Sequence, residues 1–134
     1  MINVFSRAPE EATLEHDDTV ASYFMYPMES LRAATEGSHL QFINEFTVEP
    51  GMAIEPHQHN SHEFYYVLTG SADMRVGDEM RRIVPGDLVH TPPNVPHSIR
   101  AHDGGVRCFC FAVSFQKPGE GHTVVHFDDW EVPE

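Results

Sequence analysis

Apolar residues fall on alternate positions through much of the chain, the period at which side chains share one face of a strand. From Leu40 to Val48 the even positions read Leu40, Phe42, Asn44, Phe46 and Val48, an apolar face interrupted once by an amide. Strands follow by the same rule at Phe64 to Leu68, Ala72 to Val76, Met80 to Val84, Asp87 to Thr91 and Arg107 to Phe115. Turn formers punctuate them: Pro50-Gly51, Thr69-Gly70, Gly77-Asp78, Pro85-Gly86-Asp87, Pro92-Pro93-Asn94 and Asp103-Gly104-Gly105. Many short strands with regular turns imply an all-β fold, an antiparallel sandwich or barrel. One segment breaks the pattern. Pro27 to Gly37 has Pro near its start, Gly after its end and Leu31 and Ala34 at helical spacing, which predicts one short helix.

The 134 residues suit a single domain, since domains run to about 100–150 residues. Residues 1–36 are expected to supply an N-terminal arm, an edge strand and the short helix, residues 37–117 the barrel core, and residues 118–134 a tail packed on the barrel or on a neighbour. Eight Lys and Arg stand against 21 Asp and Glu, a net charge of −13 that removes the electrostatic footprint of nucleic-acid or anionic-membrane binding. No apolar run approaches the roughly 20 residues of a membrane span, and the opening residues lack the segments of a secretory signal, so a cytoplasmic protein is expected. Cys108 and Cys110 would lie roughly 6.6 Å apart at two strand rises, near the limit of disulfide geometry, and read as reduced thiols.

Ten histidines are many for this length, and three of them, His57, His59 and His62, sit in "HQHNSHE", which ends at Glu63. Side chains two apart in a strand share a face, so His57 and His59 can reach one ion through bonds of about 2.1 Å. Glu63 has the same parity, but four straight strand rises would carry it roughly 13 Å beyond His59. The chain must therefore bend between them, and Asn60 and Ser61 are the turn formers at that place. "PGDLVHTPPNVPHS" suggests a fourth ligand, His97, delivered by a short loop after a strand.

These two segments resemble the cupin family. Gly51, five residues, His57-Gln58-His59, three residues, Glu63, six residues and Gly70 match its first motif throughout. Gly86, Pro92 and His97 match its second, in which Asn94 replaces a glycine and Ala101 replaces the final asparagine. Asn tolerates the left-handed backbone that such a turn uses. The resemblance implies a small antiparallel β-barrel, or jelly roll, holding one divalent transition metal near its mouth through His57, His59, Glu63 and His97. Iron or manganese is favoured, with nickel, cobalt and zinc as alternatives, because all accept this donor set. The resemblance also favours a homodimer.

Three neutral imidazoles and one carboxylate leave a net charge of about +1 on a divalent ion, an attractive target for a small anionic ligand. Strand parity nominates Tyr65 and Val67 as cavity-facing, and Tyr65 as a hydrogen-bond or proton donor to substrate; a barrel-filling aromatic is its ordinary alternative. His90, where an apolar strand residue is expected, is a second candidate acid or base, against the alternative of a solvent-facing position. Asn44 offers a polar contact to a ligand or is a satisfied core amide, His62 falls in the loop between ligands, and the two cysteines read as small packed residues. The leading function is a metal-dependent enzyme acting on a small oxygenated, anionic substrate by oxidation with O₂, elimination or isomerisation. The competing class is a non-catalytic binding or sensing module with the same metal site. A third option is an ion that only ties strands together.

Overall fold

A computed structural model of the chain describes residues 8–117 and 120–127. After a 3₁₀ turn at Pro9–Glu11, its elements are β1 (Thr13–Glu15), β2 (Val20–Phe24), α1 (Met28–Ala34), β3 (Leu40–Val48), β4 (His57–Gln58), β5 (Ser61–Val76), β6 (Glu79–Ile83), β7 (Leu88–Thr91), β8 (His97–Ser114) and β9 (Thr123–Val124). Every pairing between these strands is antiparallel. The sheet curls into a half-barrel consistent with a jelly roll; the alternation of the sequence predicts an antiparallel sandwich or barrel, and the family resemblance the jelly roll.

Its spine is the pair β5 and β8, aligned from Ser61↔Ser114 at one end to Val76↔His97 at the other. β3, β2 and β1 extend the sheet from β8, β4 and β9 extend it from the start of β8, and β6 and β7 lie beside β5. Inward positions of β3, β5 and β8 meet in one core, with Phe46, Val48, Val67, Ile99, Val106 and Cys108 among its members. Each large aliphatic side chain fully buried there contributes about 1.5–3 kcal/mol. Both cysteines are free and buried, and burial pushes the Cys108 thiol up to about 12.

Two turn signals are corrected. Thr69-Gly70 and Asp103-Gly104-Gly105 lie inside continuous strands, β5 and β8, where the sequence predicts strand ends. Gly70 and Gly105 adopt φ of 77° and 72°, and the register shifts on either side of Thr69-Gly70 mark bulges that bend the strand without ending it. The two backbones approach so closely that a Cβ on Gly70 would collide with the Gly105 carbonyl oxygen. The described residues of the 1–36 segment hold two strands, β1 and β2, where one edge strand is expected; β2 is hidden in the pattern because the buried Ser22 interrupts the apolar face of Val20 and Phe24. β3 also departs from a simple one-faced strand: Glu45, on its other face, is buried and accepts a 2.6 Å hydrogen bond from Arg107 Nε.

The helix forms where predicted, one residue inside Pro27, with Leu31 buried and Gly37 at φ 77° ending its C-terminal turn. Arg32 donates a 2.9 Å hydrogen bond to the Ser114 carbonyl and fixes the helix against the end of β8. No described helix is long and apolar enough to cross a membrane.

Gly70→Ala should lower stability by about 2 kcal/mol or more in urea unfolding, because it adds backbone strain to a steric collision. Gly104→Ala, with open space around the new Cβ, should be neutral or slightly stabilising.

Candidate functional site

The register of the sheet brings the distant histidines together. His57 on β4 stands directly opposite His97, the first residue of β8. The chain then bends at Asn60, where the Asn94 amide donates to the His59 carbonyl at 2.8 Å and the Phe115 amide donates to the Asn60 carbonyl at 3.2 Å. This is the bend that the spacing of His59 and Glu63 demands. Ser61 opens β5, and Glu63, Tyr65 and Val67 follow on its buried face. One ligand nitrogen from each of His57, His59 and His97 lies within 4.8 Å of the others, so the three can hold a metal ion. Glu63 adjoins this group, with Oε1 3.0 Å from His59 Nε2 and Oε2 3.9 Å from His97 Nε2.

The hydrogen bonds behind the rings set what the rings present. His57 Nδ1 donates to the Glu55 carbonyl at 2.9 Å and His97 Nδ1 donates to the Val95 carbonyl at 3.0 Å. A carbonyl can only accept, so in both neutral rings Nε2 is left with its lone pair. His59 Nδ1 is held by Ser61 Oγ at 2.6 Å. The Nε2 atoms of His59 and His97 are buried without a hydrogen-bond partner, even though Glu63 lies beside His59. That 3.0 Å approach is not aligned as a hydrogen bond. An imidazole nitrogen and a carboxylate converging in this way can share a cation, and the donor set of imidazoles and carboxylate suits a divalent transition ion.

Electrostatics agree with that fit. Burial and the neighbouring His97 hold the His57 ring down to about 3, and burial likewise lowers His97. Burial would raise Glu63, but the adjoining His59 and His97, with a hydrogen bond from Tyr65, hold its carboxyl at about 2. Burial opposes protonation of His59, and the Glu63 carboxylate outweighs it and raises that pKa. The pocket therefore keeps a carboxylate ionised and stabilises one positive charge beside it.

A cavity of about 290 Å³ opens next to these groups, with His57, His59, Glu63 and Tyr65 in its wall. Tyr65 faces inward, as parity predicts, and its hydroxyl donates to Glu63 Oε2 at 2.6 Å. Burial and the Glu63 charge push its pKa well above the usual phenol value, so the proton stays on Tyr65. Asn44 is in the same wall, with its Oδ1 buried and unpartnered, so it is not the satisfied core amide that is the usual state of a buried side chain of this kind. Both cysteines belong to the core, and Cys110 also lines the cavity.

His90 is corrected. It does not line the cavity: Val89 and Thr91 are the buried residues of β7, and His90 is exposed on the other face. There it stacks on Phe64 at 4.6 Å and meets His62 through a 2.9 Å ring hydrogen bond, which accounts for the polar residue in an apolar strand. Two histidines of the cavity wall escaped the sequence, His16 in the β1–β2 turn and His122 before β9. Neither lies in a patterned segment, and only long-range pairing brings them to the cavity. Ser61 was visible only as a turn former, because its contact with His59 depends on the bend.

The Cupin domain family model matches residues 44–114, more than half of the chain. Dimethylsulfoniopropionate lyase DddQ of Ruegeria pomeroyi is 42% identical over 77 residues, 57% of this chain and 37% of that protein. H2HPP isomerase of Bacillus subtilis is 29% identical over 116 residues, 86% of this chain and 44% of that protein. The chain thus spans less than half the length of either relative. In structure it is similar to a predicted oxalate decarboxylase from Thermotoga maritima, with a TM-score of 0.67, 18% identity and coverage of 86% of this chain and 100% of the other. At that identity the likeness concerns the fold alone.

Zinc(II) or cobalt(II) at about 100 times its dissociation constant should stabilise the protein by about 2.7 kcal/mol in thermal or urea unfolding. Ser61→Ala, which frees the far side of the His59 ring, should weaken that binding by about 10–100-fold while leaving the fold intact by circular dichroism.

Proposed function

The chain belongs to the cupin family, and from that premise we propose that it is a mononuclear divalent-metal enzyme that moves a proton on a small, oxygenated, anionic substrate, by lyase or isomerase chemistry. His57, His59, Glu63 and His97 would hold the ion, iron(II) or manganese(II) by preference. When bound, it supplies Lewis acidity and a net charge of about +1 that attracts a substrate oxygen. The observation that carries this reading is the set of inward Nε2 atoms, two of them buried and unpartnered, beside a carboxylate held ionised.

The remaining work falls to the chain's own side chains. Tyr65 keeps its proton, directs it to Glu63 across 2.6 Å and stands at the cavity wall, where its hydroxyl would hydrogen-bond a substrate oxygen and relay a proton between it and Glu63. Asn44 offers a buried hydrogen-bonding group to a substrate polar atom. Phe42, Phe46 and Ile54 form apolar wall and exclude water, which strengthens each polar contact inside. The volume, about 290 Å³, is at the small end of ligand pockets and suits a metabolite of few heavy atoms. The relatives named as a lyase and an isomerase support proton-transfer chemistry.

Tyr65→Phe should lower kcat by about 10²–10⁴-fold while metal content stays at the wild-type value. The substrate is sought by screening small carboxylates and enols against the iron-, manganese- and zinc-loaded protein while oxygen consumption is followed. Turnover that survives zinc supports the proposal. Turnover that requires iron and consumes O₂ replaces it with oxidation, and binding without turnover under every metal replaces it with the sensing module.

A further inference from the structure

We infer that His16, Glu55 and His122 form a second divalent-cation site, at the rim of the cavity and separate from the buried group of His57, His59 and His97. These three residues come from the β1–β2 turn, the segment leading into β4 and the segment leading into β9. Each nevertheless offers a ligand atom within 4.8 Å of the other two. His122 Nε2 lies 3.8 Å from Glu55 Oε1, too far for a hydrogen bond. That spacing falls within the roughly 4.2 Å that two donors bound at about 2.1 Å to one ion can span. His16 Nδ1 is shielded from solvent without a hydrogen-bond partner, a state that a ligated ion would resolve. Two imidazoles and one carboxylate are the donors of a zinc-type site with a position left open.

The backbone supports the placement of His16. His16, Asp17 and Asp18 adopt φ of 51°, 55° and 63°, three successive left-handed residues. Thr19 holds the turn closed by donating from its amide at 3.2 Å and its hydroxyl at 2.6 Å to the His16 carbonyl. The result sets the His16 ring 4.4 Å from that of His57 and 5.2 Å from that of His122. Glu55 joins the two groups: its carbonyl accepts from His57 Nδ1 at 2.9 Å, and its side chain belongs to the outer three. An ion held there ties the N-terminal turn to the tail across the cavity rim.

Metal-free protein dialysed against zinc(II), with bound metal counted by mass spectrometry, should take up two equivalents per chain. The second should bind at least about tenfold more weakly, because the outer site has fewer donors and lies near a like charge. The double variant His16→Ala/His122→Ala should retain only the tighter equivalent, and His59→Ala/His97→Ala should retain only the weaker. Glu55→Gln, which keeps the backbone bond to His57, should weaken the second equivalent about tenfold and leave the first unchanged. A single wild-type equivalent that persists in His16→Ala/His122→Ala overturns the outer site and leaves the inner one standing. Binding that persists in full in His59→Ala/His97→Ala and vanishes in the other variant supports the outer site and overturns the inner one. Absence of binding to the wild type overturns both.

Discussion

The alignment of β5 with β8 over their whole length fixes nearly everything else in the molecule. Because side chains alternate strictly along a strand, one register commits Glu63, Tyr65 and Val67 to the interior together and sends Phe64 and Tyr66 outward. The same alignment sets His97 at one end of the β5–β8 pair, where β4 can place His57 opposite it. Gly70 and Gly105 let the paired strands bend where the approach of two backbones leaves no room for a Cβ. A slip of one residue would turn the carboxylate and the phenol out of the cavity while leaving the core aliphatic residues exposed, so stability and site geometry are specified by one set of hydrogen bonds.

The interior of this half-barrel includes polar and ionisable side chains, among them His57, His59, Glu63 and His97. Buried imidazoles and a carboxylate carry desolvation costs that hydrophobic neighbours cannot offset, and each must find a partner or lose its charge. The protein meets this with backbone carbonyls behind two rings, a serine behind the third and a tyrosine against the carboxylate. Within this group of three rings and one carboxylate, the atoms left buried and unmatched are the inward Nε2 atoms of His59 and His97. The polarity is thus ordered from the outside in: the supporting bonds are complete, and the deficiency faces the cavity.

Much of the barrel was legible because strand periodicity is a local signal. Leu40 to Val48 and Phe64 to Leu68 show it plainly, and both fall within strands. The motif histidines were legible because their spacing states which side chains share a face. Misreadings arose where the backbone conformation of a glycine carries two meanings: Gly70 can end a strand or kink one, and only its close approach to Gly105 decides. His90 was misplaced because parity alone does not say which face of a short strand is inward; Thr91, small and polar, is the buried neighbour. His16 and His122 were invisible because nothing near them in sequence is patterned, and only the sheet's long-range pairing joins them.

The shortest strands carry a consequence out of proportion to their length. β4 has only two residues, and it is flanked by β8 on one side and β9 on the other, with His57 paired to both His97 and Val124. β9 therefore seals what would otherwise be a bare sheet edge running through the histidine cluster, an edge of the kind that invites another polypeptide to add a strand. Shortening or fusing the carboxyl end of this chain is then a perturbation of the interior, one that can loosen His57 and promote self-adhesion without altering any ligand.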